Sequence, residues 1–229
     1  MNKPYLKRKF YGRRKGKTLT KKRADLVETL LPQVRLEYDK SNKRDRNAHA
    51  FFDTDYDQVW LEIGFGDGAH IAEQARRNPN VGFIGCEPFM NGVAGLLCEM
   101  DENEIDNIRI WPNDARDVMD GLQDASVERI FLLHPDPWPK TRHHKRRFIQ
   151  HNTVRDLARI LKPGGILRVA TDDQPLCNWM LWHITHNDDF EWLASQAADW
   201  RTPPDDWPIT RYGEKELAGI PVYLEFKRK

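Results

Sequence analysis

The chain has 229 residues, 39% of them apolar, with 36 Lys and Arg against 35 Asp and Glu. That length and balance predict one soluble globular domain and exclude a disordered chain, a collagen-like repeat and a low-complexity scaffold. The long uncharged stretch at residues 174–186 contains Asn, Thr and two His, whereas a bilayer span needs roughly 20 apolar residues; with no secretory signal after the basic start, a cytoplasmic, non-membrane protein is expected.

Residues 1–24 carry 11 Lys and Arg and no acid, leaving 25 basic and 35 acidic residues in the remainder. The head is therefore a separate electrostatic object. Tyr5, Phe10 and Tyr11 lie among its charges, so it can neutralise phosphates and offer rings for stacking. The chain divides on this basis into a basic, partly disordered N-terminal extension over residues 1–50, expected to contact nucleic acid, and a folded domain over residues 51–229.

From about Gln58, short apolar strands alternate with helical stretches. Strands are expected at residues 59–63, 81–87, 107–111, 129–134 and 165–171, with two late ones in FEWLA and VYLEFK. Helices are expected at residues 69–77, 89–100, 146–161 and 176–186, the third ending at the Lys162-Pro163-Gly164-Gly165 stop signal. This alternation predicts a doubly wound, mainly parallel Rossmann-like α/β sheet with helices on both faces.

Ligands in such sheets bind at the carboxyl ends of the strands. The first strand ends Glu62-Ile63-Gly64-Phe65-Gly66-Asp67-Gly68, the second in Glu87, and the third is followed by Asn113-Asp114. Gly64, Gly66 and Gly68 let the backbone turn and admit a ligand closely. Their spacing is G-x-G-x-G rather than the dinucleotide G-x-G-x-x-G, and acids lie both before and within the loop. Carboxylates repel a pyrophosphate but attract an ammonium and a sulfonium, which points to S-adenosylmethionine (SAM). Glu87 suits the ribose hydroxyls and Asp114 the adenine amino group.

The fourth strand runs into HPDPWPKTRHHKRR, residues 134–147. Three prolines stiffen the chain around Asp136 and Trp138, and five Lys or Arg and two His follow between Lys140 and Arg147. One segment thus offers a fixed carboxylate, an aromatic face and a phosphate clamp. Cys86, Cys98 and Cys177 form no metal-ligand spacing and are expected as reduced thiols. His183 and His186, at i and i+3 on a helix, lack a partner Cys or acid in register, so no metal is expected. Trp179, Trp182 and Trp192 are read as packing rather than base-stacking residues.

LEIGFGDG, HPDPWPKTRHHKRR, VATD and TRYGEK together resemble the bacterial tRNA (guanine-N7-)-methyltransferases of the TrmB family, over nearly the whole chain. The resemblance implies a class I SAM-dependent methyltransferase fold and methyl transfer to N7 of the variable-loop guanine at position 46 of tRNA. It implies SAM contacts at Glu62, Glu87, Asp114 and Asp136, with Asp136 catalytic, and tRNA contacts at Lys140, Asp172, Thr210, Arg211, Tyr212 and Gly213. One departure from the family pattern is Gly213, where an acid is common; here Glu214 follows it. No obligatory protein partner is implied, and a monomer or homodimer is expected. An NAD(P)-dependent oxidoreductase would share the fold but not the acidic loop. A non-catalytic RNA-binding protein would leave Glu62, Glu87 and Asp114 without a use, and a SAM-dependent enzyme acting on another RNA base is the nearer alternative.

Overall fold

A computed structural model describes residues 10–37, 44–208 and 219–229. A seven-stranded sheet has the order β3-β2-β1-β4-β5-β7-β6. Its strands are β1 (Gln58–Ile63), β2 (Val81–Cys86), β3 (Ile108–Trp111), β4 (Val127–Leu133), β5 (Leu161–Thr171), β6 (Phe190–Trp192) and β7 (Val222–Arg228). The first five pair in parallel, and β7 runs antiparallel to both β5 and β6. Strand order reverses between β1 and β4, so the crevice of a doubly wound sheet opens above the carboxyl ends of these two strands.

Alternation along the strands divides the core. Val59, Leu61 and Ile63 of β1, with Ile130 and Leu132 of β4, join the cluster covered by α5 (Ala115–Gly121), α6 (His151–Ile160) and α7 (Gln174–Thr185). Trp60, Phe83 and Phe131 belong to the opposite cluster with Ile71, Val93, Leu96 and Leu97 from α3 (Ala69–Arg77) and α4 (Met90–Glu102). Successive side chains on a strand point to opposite faces, so Glu62 shares the Trp60 face, towards α3.

Two short helices precede the sheet, α1 (Lys21–Thr29) and α2 (Leu31–Val34). Leu31 and Val34 join the α3–α4 cluster, and Leu36 and Ala48 are buried in the other. Arg35 forms a parallel bridge to Ile110. A last short helix, α8 (Ala198–Arg201), lies before the C-terminal strand.

The two largest changes of an expected boundary lie at α6 and β5. The helix expected from Arg146 begins at His151: Gln150 and Thr153 form a reciprocal capping box, and Thr141–Arg146 is a separate 3-10 turn. Leu161 opens β5 rather than closing that helix, and Pro163-Gly164-Gly165 lies within the strand. Between Val127↔Leu161 and Arg129↔Ile166 the register shifts, and Gly164 at φ 81° supplies the irregular step. No helix among the described residues is long and apolar enough to cross a membrane.

Candidate active site

Above β1, β2 and β4 lies a cavity of about 630 Å³. Its wall includes Glu62, Gly64, Gly66 and Asp67 after β1, Glu87 after β2, Asp114 after β3, and His134, Asp136 and Trp138 after β4. The acids that the sequence places after successive strands therefore converge. Glu62 is only 3% exposed and its Oε2 lies 2.6 Å from Nδ1 of His70, a cavity residue carried by the first turn of α3. The other ring nitrogen of His70 is buried without a hydrogen-bond partner among the described residues.

The Glu87 carboxylate is held by backbone, accepting from Gly66 N at 3.0 Å and Phe89 N at 2.9 Å. It thereby ties the glycine loop to the end of β2. Burial pushes the Glu87 carboxyl up; those two N–H groups hold it down in part, and the charges of Asp136 and Glu62 raise it further. Three carboxylates repelling one another in a partly desolvated cavity form a site whose electrostatics favour a cationic guest. We expect the affinity for the cationic methyl donor to fall as pH drops from neutrality through the raised Glu87 value, because the bound cation favours the ionised form. In the free protein the sign is opposite: the raised value adds stability at acid pH that is lost as pH rises through it. Calorimetric titration between pH 8 and pH 5, with Glu87→Gln removing the dependence, checks this.

Asp114 caps α5 through Arg116 N at 3.0 Å and also accepts from the Arg116 guanidinium, so its carboxylate is already engaged at the cavity wall. Gly68 departs from its expected place: a Cβ there would lie 2.5 Å from Cβ of Leu96, so it serves loop-to-α4 packing and does not line the cavity. Lys140 is exposed outside the cavity, where its carbonyl accepts from His143 N at 2.7 Å. Asp172 also lies outside the wall, 3.8 Å from Nδ1 of the wall residue His134. Thr210, Arg211, Tyr212 and Gly213 lie outside the described residues.

The Pro135–Pro137 stretch is clamped at both ends. His134 at φ 48° and Trp138 at φ 44° adopt left-handed backbone, which costs side-chain-bearing residues on the order of 1–3 kcal/mol each. His134 N donates to Ala170 O at 2.8 Å, and Arg147 Nε donates to Pro137 O at 2.8 Å. Asp136 stands exposed between these anchors at the cavity mouth.

Several wall residues come from segments whose place at the cavity has no local sequence signal. Phe10, Tyr11 and Arg13 of the basic head lie across the mouth. The head is fixed by Met90 N to Arg14 O at 3.1 Å, Arg14 to Asn113 Oδ1 at 3.1 Å, and Gly16 N to Asn91 Oδ1 at 2.8 Å. The Arg146 guanidinium sits 4.7 Å from the Tyr11 ring centroid and 4.9 Å from that of Trp138. Trp207 packs edge-on against Tyr223 and lies 5.5 Å from the His70 ring. Its neighbour Asp206 binds Arg168 at 2.8 Å and Arg129 at 3.0 Å. Burial alone would raise the Asp206 carboxyl, but the hydrogen bond and charge of Arg168, with Arg129 adding, hold it below the usual range. Among the described residues no cluster of three or more His, Cys, Asp or Glu is arranged to hold a metal.

The family described as "Putative methyltransferase" matches residues 56–219. Solved structures with similar folds include an rRNA methylase from Streptococcus thermophilus, with a TM-score of 0.52 at 10% identity, covering 92% of this chain and 99% of that one. A 16S rRNA methyltransferase, KamB, has a TM-score of 0.52 at 15% identity, covering 82% and 98%. These likenesses establish the class I SAM-dependent methyltransferase fold. Among curated proteins, the tRNA (guanine-N(7)-)-methyltransferase of Rhodospirillum rubrum is 46% identical over 230 residues, 99% of this chain and 90% of the relative. That of Zymomonas mobilis is 46% identical over 212 residues, 93% and 90% respectively. Identity at that level over almost the full length, together with the acid-lined crevice, places the chain in the TrmB family of bacterial tRNA (guanine-N7-)-methyltransferases.

Proposed function

We propose that this protein, acting in the cytoplasm without an obligatory protein partner, transfers the methyl group of SAM to N7 of the variable-loop guanine at position 46 of tRNA. The observation that carries this reading is the convergence of Glu62, Glu87 and Asp136 on one cavity whose rim holds Lys145 and Arg146. An acidic interior suits the ammonium and sulfonium of the donor, and a basic rim suits the polyanionic acceptor. The relatives' names supply the base and the RNA class.

When bound, SAM supplies an electrophilic methyl on a positively charged sulfur. Guanine N7 carries a free lone pair and no proton, so the transfer needs alignment and favourable electrostatics rather than a general base. Asp136 accepts hydrogen bonds from the guanine edge or the donor ammonium and offsets the positive charge that appears on the purine. The Gly64–Asp67 turn admits the donor without side-chain obstruction, and Glu87, fixed by two backbone N–H groups, holds the ribose edge. Asp114 sits where the adenine would be read. Because an RNA major groove is deep and narrow, the target base has to leave its tertiary contacts to enter the cavity. Trp138 and the Tyr11–Arg146 pair at the mouth then provide a wall for the displaced base.

The extension over residues 1–50 and the clamp at Lys140–Arg147 together form the RNA-contacting part of this reading, with Asp172 and residues 210–213 beside them. Replacing Lys140, Arg142 and Lys145 by Ala is expected to weaken tRNA binding and reduce the magnitude of the slope of log K against log salt by about 2–3. Filter binding across a salt series measures it; an unchanged slope contradicts the clamp. The whole reading is tested by incubating the purified protein with labelled SAM and bulk tRNA, followed by nucleoside analysis. Labelled 7-methylguanosine is expected, and label in any other nucleoside overturns the assignment.

A further inference from the structure

Helix α7 buries one face against the sheet, while its outer face is only partly covered, by the turn bearing His144 and Arg147. Leu176, Cys177, Met180 and Ile184 are buried against the sheet. A second stripe, Pro175, Asn178, Trp179, Trp182, His183 and His186, follows the helical period along the outer face. Trp182 is 56% exposed, the highest exposure of any aromatic residue among the large exposed hydrophobics of the described chain. Its ring stacks on His186 with centroids 4.4 Å apart, and His186 Nδ1 is fixed 2.8 Å from the Trp182 carbonyl oxygen. Trp179 and His183 rings lie 4.4 Å apart beside it. Pro175, Asn178, Trp179, Trp182 and His183 line a shallow groove with His144 and Arg147.

Basic side chains, His144 and Arg147, are among the residues lining this groove, and no acid is. Burial, and then the His151, His186 and Arg147 charges, push His183 below the usual imidazole range. Asp173, whose charge acts on Arg147, is engaged in capping α7 through Leu176 N at 2.7 Å. Exposed rings beside the exposed Arg142 and Lys145 of the adjoining turn are complementary to a nucleic acid, which offers a base to the rings and phosphates to the cations, and less so to an apolar protein surface.

The groove is also continuous with the proposed clamp. The 3-10 turn Thr141–Arg146 has Lys145 and Arg146 in the wall of the donor cavity, while His144 and the adjoining Arg147 line the α7 groove. Arg147 is nearly fully buried; it donates to Pro137 O in the Asp136 loop and lies 4.9 Å from the Trp179 ring centroid. One turn of chain therefore has the catalytic cavity on one side and the aromatic groove on the other.

We propose that the Trp179–Trp182–His183 face of α7 is a second RNA-contact surface, on which an unpaired base of the bound tRNA stacks against Trp182 while its phosphates engage the basic turn. This rests on the tRNA methyltransferase reading above. It revises the expectation that Trp179 and Trp182 serve packing alone: Trp179 is anchored by its Nε1 to Ile149 O at 2.7 Å, but Trp182 packs on nothing in the core.

The test uses the full chain carrying Trp182→Ala or Trp182→Phe, with tRNA binding, the KM for tRNA, kcat and S-adenosylhomocysteine affinity measured for each. Trp182→Ala is expected to raise Kd and KM for tRNA about tenfold, with a smaller change in kcat and unchanged affinity for S-adenosylhomocysteine. Trp182→Phe is expected to restore most of the loss. The salt slope stays that of the parent, because stacking releases no counterions, unlike charge removal in the clamp. Unaltered tRNA affinity in Trp182→Ala overturns the proposal. So does a loss that Phe does not restore, or a dimer that dissociates in Trp182→Ala by sedimentation with RNA affinity intact, which would make the face a subunit contact. Failure of the parent protein to form 7-methylguanosine would instead remove the underlying reading, whatever the Trp182 variants do.

Discussion

Asp136→Ala lowers kcat for tRNA methylation by about 10²–10³-fold and leaves both the thermal midpoint and the affinity for S-adenosylhomocysteine close to those of the parent. The expected magnitude is that of removing one preorganised charge-stabilising group from a reacting centre. The fold should tolerate the change, because Asp136 is exposed at the cavity mouth while its loop is held by other groups. Those are the bonds from His134 N to Ala170 O and from Arg147 to Pro137 O, and the rings around Arg146. Asp136→Asn separates the two contributions of the side chain, since it keeps a hydrogen-bond acceptor but loses the charge. Partial activity in Asn and none in Ala indicates that hydrogen bonding to the base matters beside the field. Turnover within tenfold of the parent in Asp136→Ala would falsify the assignment.

Gly92→Ala is the second large effect, and it runs against helix propensity. Gly92 occupies the first turn of α4, where Ala ordinarily gains about 1 kcal/mol over Gly. Here a Cβ would lie 2.0 Å from the carbonyl oxygen of Gly66, far inside van der Waals contact, and the obstacle is backbone rather than a flexible side chain. The Gly64–Gly68 turn must move to accommodate it. That turn includes the Gly66 N–H that holds Glu87, so donor affinity is expected to fall about 100-fold and the thermal midpoint to drop. Calorimetry with S-adenosylhomocysteine reads the first and a melting curve the second; an unchanged affinity would show that the turn can shift without disturbing the site.

The glycine pair Gly66–Gly92 illustrates where sequence reading stops. Gly64 and Gly66 stand out in the sequence because a strand ends in closely spaced glycines, and the structure gives both positive φ, 75° and 60°. Gly92 has no such local sign, since its requirement comes from a chain segment more than twenty residues away. His70 is similar. Its place beside Glu62 follows from the strand face on which Glu62 lies and from the way α3 crosses that face. The ion pairs of Asp206 with Arg168 and Arg129 join residues from three distant segments, and through Trp207 they shape one wall of the cavity.

Local physics settled a good deal. Apolar alternation, turn residues and the acids after successive strands marked β1 to β5, the crevice above them and the charge of its guest, because each depends on neighbours within one element. The same local reading started α6 at Arg146, five residues before its first turn at His151, since basic residues are acceptable in a helix and nothing nearby in the chain discloses the Gln150–Thr153 capping box. Tertiary structure alone decided that Phe10–Arg13 crosses the cavity mouth, that Gly68 turns towards Leu96 instead of the cavity, and that Trp182 faces outwards while Met180 two residues away is buried. Those outcomes depend on which surfaces meet after the sheet has formed, and a pattern of residue types along one segment contains no information about the segment that will cover it.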